Sequence, residues 1–202
     1  MEFCSNPGLT KQCHSMSVDP FKILKTQYDP LSVTYDILLT HSVLVTNKAR
    51  EIATAYLDRH PEADIDIDFI TEAGLLHDIG IGQCDAPKIH CFGTEPYVRH
   101  GVIGRETLEG LGLCRHALVC ERHTGAGITR EEALQASLPL PDRDYLPQSL
   151  EEKIICVADK FYSKTPAKLW RPKALSTIRK GLARWGAPVL TRWDRLYEEV
   201  TE

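Results

Sequence analysis

The sequence "IICVADKFY" sets Asp159 among Ile154, Ile155, Val157 and Phe161. A lone ionised carboxylate in such surroundings costs several kcal/mol unless a cation or hydrogen-bond donors compensate it. A metal ion is one such compensation. His41, His77 and His100 share the predicament, since each takes a place in an apolar stripe that Leu or Ile would fill. One inward histidine is ordinarily a satisfied core residue, so the argument rests on the group. With His123 and Asp78 the group has six members, spread over successive helical segments whose inward side chains are what a bundle uses to build a metal site. All six are N or O donors, which suits Fe, Mn or Zn, and the lack of thiolates argues against a structural zinc finger. Six exceed what one ion needs if positions are to stay open for water and substrate, whereas two ions bridged by a carboxylate use them all. In "GLLHDIGIG" the adjacent His77 and Asp78 end an apolar run. Neighbours on a helix diverge by about 100°, but at a helix end both can lean toward one site, and a carboxylate has two oxygens.

These residues need helices to carry them. In "TYDILLTHSVLVTNKAREIATAYLDRH" the positions Leu38, His41, Val45, Ala49, Ile52 and Tyr56 recur at three- and four-residue steps and place His41 on a buried face. A second helix begins near Asp66 or Asp68, both suitable N-caps, and runs to His77, where Gly80 or Gly82 stops it. After a loop, Thr94 is expected to cap a third helix with the stripe Tyr97, His100, Gly104, Thr107, Leu108 and Leu111, ended by Gly112. "CRHALVCERH" forms a fourth, bringing Cys120 and His123 together, and "ITREEALQAS" a short polar fifth. Ser149 and Glu152 form an S-x-x-E capping box ahead of the helix that bears Asp159. Strand-like alternation is absent, so the fold class is all-α, a single helical bundle with a central metal site. Residues 1–28 are set apart as an N-terminal extension, 29–167 as the core, and 168–202 as C-terminal helices packing on the same domain.

In this order, His41, then His77-Asp78, then Asp159 resembles the H…HD…D signature of the HD-domain metal-dependent phosphohydrolase superfamily, with "HDIG" matching its best-known tetrapeptide. The added His100 and His123, the latter in "ERHTG", resemble the dinuclear branch of that superfamily. That branch includes symmetrical diadenosine tetraphosphate hydrolases, HD-GYP phosphodiesterases and a few di-iron oxygenases. The likeness spans roughly Tyr35 to Lys164. It implies that His41, His77, Asp78 and Asp159 hold one metal while Asp78 bridges to a second held by His100 and His123. The two divalent ions would be Fe or Mn, with Zn, Ni or Mg as alternatives. The chain departs from the family where many members continue with a basic residue after HDIG: here Ile81 stands in that place, and Lys88 in the next loop is the candidate replacement. The HD-GYP signature itself is missing, which disfavours cyclic dinucleotides.

Two such metals polarise phosphoryl oxygens and make hydroxide available near neutral pH, so the expected reaction is hydrolysis of a nucleotide or other small phosphate ester by a water bridging the ions, with His77 and Asp78 at the catalytic centre. Substrate phosphate needs cations, and Arg122, Lys160 and Lys164 are the candidates by adjacency to His123 and Asp159, with Arg105 behind them. The loop "CDAPKIHCFGTEPY" carries Phe92 and Tyr97, which could close over a base. A second reading, from another reaction class, is a di-iron oxygenase of the same superfamily acting on a small polyol or phosphonate. A third is a non-catalytic nucleotide-binding module, weakened because no ligand position is degraded.

Composition bounds these readings. At 202 residues, 43% apolar and 26% charged, the chain has enough material for one domain with a core, and its apolar runs are too short to span a bilayer. The N-terminus lacks a basic start and an apolar stretch, so a cytoplasmic protein is expected. Seven cysteines without framework spacing fit free thiols, and "CDAPKIHC" is taken as a loop rather than a Cys/His metal site. Net charge is −4, yet Lys168 to Arg195 holds eight Lys/Arg against Asp194 alone, together with Trp170, Trp185 and Trp193. The stripes Leu175, Ile178, Leu182, Trp185 and Val189, Trp193, Leu196, Val200 place the tryptophans in the core. On that ground, and with the chain acidic overall, nucleic acid is a disfavoured partner and a small phosphorylated substrate the expected one.

Overall fold

The computed structural model describes residues 18–202. Helices α1 (Pro20–Gln27), α2 (Val33–Arg59), α3 (Ile67–Leu76), α4 (His100–Gly110), α5 (Cys114–Arg122), α6 (Arg130–Gln135), α7 (Leu150–Lys160), α8 (Leu175–Leu182) and α9 (Ala187–Thr201) form the fold. The only sheet among the described residues is a hairpin of β1 (Asp85–Ala86) and β2 (Cys91–Phe92), paired antiparallel in the register Asp85 with Phe92 and Ala86 with Cys91. The fold class is therefore all-α. No described helix is long and apolar enough to cross a membrane.

Helix α2 is the spine. Ser32 caps it by accepting from Tyr35 N at 3.1 Å, and the stripe Leu38, His41, Val45, Ala49 and Ile52 is buried along its length, with Tyr56 half-buried where the helix leaves the core. Of the two candidate caps for α3, Asp66 performs the role, accepting from Phe69 N at 2.9 Å, and Asp68 lies in the first turn. The start of α4 differs from expectation. Thr94 does not cap it: Asp85 N donates to Glu95 O at 2.8 Å and Glu95 N to Gln83 O at 3.0 Å, which holds that backbone extended. Pro96 then disfavours helical geometry in the residue before it, and a tight turn at Tyr97–Arg99 delivers the chain into α4 at His100. At α7 Ser149 accepts from Glu152 N at 3.2 Å, but Glu152 directs its carboxylate to Gln148 N and Arg122, so the reciprocal arm of the expected box is missing. A complete capping box starts α6 instead, between Thr129 and Glu132.

Two apolar clusters flank the site. One joins Val45, Ile52 and Phe69 to Ile154 and Ile155 of α7 and to Ile178, Leu182, Trp193, Leu196 and Val200 of α8 and α9. The other joins Leu24 of α1 to Tyr35, Leu38, Leu76, Ile81 and Leu108. Residues 1–17 of the extension lie outside the described residues. Residues 20–27 form α1, and Tyr28 just beyond it donates its hydroxyl to Ile79 O at 2.5 Å and accepts from Gly82 N at 2.9 Å. Tyr28 thereby clamps the turn that follows His77-Asp78.

The expectation that all three tryptophans are core is corrected. Trp193 is buried, while Trp170 is 70% exposed and Trp185 77% exposed. Helix α8 ends at Leu182, and the tight turn Ala183–Trp185 followed by Gly186, at φ 112°, breaks the helical period before Trp185 can join the stripe. Cys84, Cys91, Cys120 and Cys156 are free and buried. In "CDAPKIHC" His90 is exposed and belongs to no His/Cys/Asp/Glu cluster among the described residues.

Gly80 has a packing reason. A Cβ there would stand 2.1 Å from His100 O and 2.6 Å from Gly104 N, both backbone atoms of α4. Gly80→Ala is expected to cost about 3 kcal/mol, as forced overpacking of backbone does, and to lower the melting temperature by about 6–12 °C. Thermal denaturation followed by circular dichroism checks this, and an unchanged melting point would mean that α4 does not need this close approach.

Candidate metal centre

Five elements meet at one buried point. His41 comes from the middle of α2, His77 caps the C-terminus of α3, Asp78 follows it, His100 opens α4, His123 caps α5 and Asp159 lies in the last turn of α7. All six are buried. Their donor atoms form two groups that share Asp78: His41, His77, Asp78 and Asp159 in one, and Asp78, His100 and His123 in the other. Asp78 Oδ2 lies 3.0 Å from His77 Nε2 and 3.2 Å from His41 Nε2, while Oδ1 lies 3.5 Å from His100 Nε2 and 3.4 Å from His123 Nε2. Asp159 Oδ1 completes the first group at 2.9 Å from His41 Nε2. The carboxylate of Asp78 thus offers one oxygen to each group.

The proton positions test whether these donors fit cations. A carbonyl only accepts, so His77 Nδ1 donates to Gly74 O at 2.7 Å, His100 Nδ1 to Tyr97 O at 2.6 Å and His123 Nδ1 to Cys120 O at 2.7 Å. In the neutral rings every Nε2 is then a lone pair turned inward. His100 Nε2 and His123 Nε2 face each other at 3.1 Å, and His77 Nε2 faces the Asp78 carboxylate. Lone pair against lone pair, and lone pair against anion, are repulsive unless a cation lies among them. Fixing the tautomer through a backbone carbonyl is how metal-ligating histidines are held. A proton serves only part of the site. Burial opposes the charge on His77, but Asp78 and Asp159 outweigh it and push its pKa up to about 9. Burial and the neighbouring His123 push His100 down to about 3. The donor set fits two metal ions.

Residues 38–163 match the sequence model of the HD domain. The chain belongs to the HD domain family. An uncharacterized protein of Methanocaldococcus jannaschii is 42% identical over 123 residues, 60% of this chain and 64% of that protein. Two proteins named tRNA (cytidine(56)-2'-O)-methyltransferase also match. The one from Thermoplasma volcanium is 31% identical over 148 residues, 70% of this chain and 38% of the relative. The one from Picrophilus torridus is 35% identical over 118 residues, 56% and 31%. The chain thus matches less than two thirds of the length of these curated relatives. No solved structure matches significantly.

Around the HD metal centre the positive groups are unevenly placed. Lys164 Nζ lies 2.6 Å from Asp78 Oδ2 and 4.0 Å from Asp159 Oδ1, with its side chain only 12% exposed. Lys160 pairs with the other oxygen of Asp159. Burial alone would raise the pKa of both aspartates. Lys164 and His77 at Asp78, and Lys160 and Lys164 at Asp159, reverse this and hold both well below the usual carboxylate range. These lysines line a cleft of about 540 Å³ over the centre, together with Lys88, Tyr97 and Lys173. Tyr97 stacks on His100 with ring centroids 4.7 Å apart, whereas Phe92 is exposed and does not line the cleft.

Arg122 is elsewhere. Its guanidinium contacts both oxygens of Glu152 at 3.1 Å, and Arg105 is taken by Glu109 and Glu121. Adjacency in sequence misleads here because the residue before a ligand on a helix points about 100° away from it. Lys173, which sequence reasoning passed over, donates to Lys160 O at 3.2 Å and Tyr162 O at 3.0 Å and so ties the segment after α7 to the cleft wall. No local pattern around "RPKALS" signals this. Its partners lie 11 and 13 residues away, across a turn.

If the second group holds its own ion, His123→Ala is expected to lower bound metal from about two per chain to about one, since His100 and one oxygen of Asp78 are too few ligands for stable binding. Elemental analysis of purified protein measures this. Unchanged stoichiometry would return His123 to the role of a core residue.

Proposed function

We propose that this HD domain is a metal-dependent phosphohydrolase acting on a nucleotide or other small phosphate ester. The observation that carries the reading is the Asp78 carboxylate divided between two donor groups beneath a cleft lined by Lys88, Lys160, Lys164 and Lys173. A pair of divalent ions, Fe or Mn by the all-N/O donor set, supplies Lewis acidity toward phosphoryl oxygens and lowers the pKa of water near them. The chain's own part is binding and charge. Lys160 and Lys164 stand beside the ligand carboxylates, where their ammonium groups attract phosphoryl oxygens and neutralise charge as the ester bond breaks. His77, His100 and His123 keep their Nδ1 protons engaged with carbonyls, so they serve as ligands and not as proton donors. Exposed Tyr97, stacked on His100, offers a ring face at the mouth. The match to two proteins named as tRNA methyltransferases supports a nucleotide over a sugar as the group that carries the phosphate.

The test is phosphate release from mononucleotides, dinucleoside polyphosphates and sugar phosphates, run anaerobically with Mn(II) or Fe(II). Release that requires metal and not oxygen supports the hydrolase. Silence across the panel, from protein shown to hold two metals, would transfer the assignment to the di-iron oxygenase reading, because the same ligands serve both chemistries.

A further inference from the structure

The cleft over the metal centre does not end at its lysines. Lys160 and Lys173 also line a second groove of about 660 Å³, which runs along α8 past Thr177, Lys180 and Arg184 to Trp185. Each stretch alone is the size of a small-ligand site. Sharing two lysines makes them neighbours.

Four observations say what this groove fits. The residues lining the second groove include four cations and no carboxylate. Elsewhere in the segment Arg179 is paired with Asp194 and Arg192 with Glu132, but no ion pair holds Lys180 or Arg184 among the described residues, so their charge is directed at solvent. Trp185, at the far end, presents its ring to solvent where a packed core would have buried it. Gly181, on the groove within α8, has nothing within 4 Å of where its Cβ would be. A glycine inside a helix is less stable than alanine, and this one repays nothing in packing, whereas a bare backbone lets a ligand approach closely.

We propose that this groove binds a single-stranded oligonucleotide, with Trp185 as a stacking platform and the lysines and Arg184 tracking the phosphates toward the metal centre. Cations along a groove with an aromatic ring for the bases are the general means of holding single strands without reading sequence. A mononucleotide would leave the Trp185 end unused. Only the placing of the strand's phosphate terminus at the metal centre rests on the hydrolase reading, and the binding itself stands apart from it.

The test is fluorescence anisotropy of a fluorescein-labelled 2′-O-methyluridine strand of about twelve nucleotides, which resists cleavage, titrated with the purified metal-containing protein. Saturable binding is expected, and a strand engaging about four cations should lose roughly 50-fold in affinity between about 50 and 200 mM salt. Trp185→Ala should weaken binding about 5- to 100-fold and Lys180→Glu with Arg184→Glu should weaken it further, while Trp170→Ala, exposed but off the groove, should leave it unchanged. Melting curves confirm that these surface variants fold. No saturable binding, an equal loss from Trp170→Ala, or an oligomer that dissociates on Trp185→Ala with no change in strand affinity would each overturn the proposal. Because no turnover is read, a failed binding test leaves the hydrolase assignment to its own assay.

Discussion

Asp78→Ala is expected to leave the protein with almost no bound metal and with turnover reduced at least about 10³-fold. The reason is its position: Oδ2 lies within 3.2 Å of His41 and His77 Nε2, and Oδ1 within 3.5 Å of His100 and His123 Nε2. No other described residue belongs to both donor groups. Alanine also deprives Lys164 of its nearest carboxylate, and truncating one partner of a buried pair costs about 3–5 kcal/mol. Loss of fold could therefore mimic loss of metal. Asp78→Asn separates the two, because the amide keeps the volume while its nitrogen cannot accept a cation, so metal should still be lost from a folded protein. Elemental analysis beside a melting curve gives the answer. A folded Asn variant with two metals per chain would remove Asp78 from its bridging place.

Lys164→Met should produce a different pattern. Methionine replaces the buried stem but removes the ammonium that lies against Asp78 and Asp159. Metal content should remain at two per chain, since a competing cation has been taken from the ligands. The value of kcat/KM for the phosphate ester should fall by about 10²–10³, the usual cost of removing one preorganised donor from a developing oxyanion. With metal stripped by a chelator the sign of the stability effect is set by Asp78. Its charge then has no ammonium beside it, and the variant should melt below chelator-treated wild type. A variant that instead loses its metals would make Lys164 a brace for Asp78 with no role at the substrate.

Much of the site can be read from the chain because each ligand carries a cost that is visible locally. A histidine in the stripe of α2, or an aspartate within the apolar "IICVAD", contradicts the hydrophobic pattern around it, and such contradictions accumulate at functional positions. Helix existence follows from the same periodicity, and the caps at Asp66 and Ser149 from side chains able to take a free backbone N–H. Two expectations failed where a backbone effect opposed a side-chain pattern. Thr94 could not cap α4 because Pro96 and the pairing of Glu95 hold the chain extended. Trp185 could not join the stripe of α8 because the helix stops at Leu182.

What the sequence alone determined is the donor set, the all-α class and the family, since these depend on residue type and on spacing within single helices. What the tertiary structure decided is which cations serve the centre. Arg122 and Lys164 each stand close in sequence to a ligand, yet one is bound to Glu152 and the other lies against Asp78. Lys88 and Lys173 reach the same cleft from the hairpin between β1 and β2 and from the segment before α8. A ligand is recognisable by the burial it must endure, which neighbours along the chain report. A long flexible cation bears no such local mark, and only the packing of helices distant in sequence determines where its charge comes to rest.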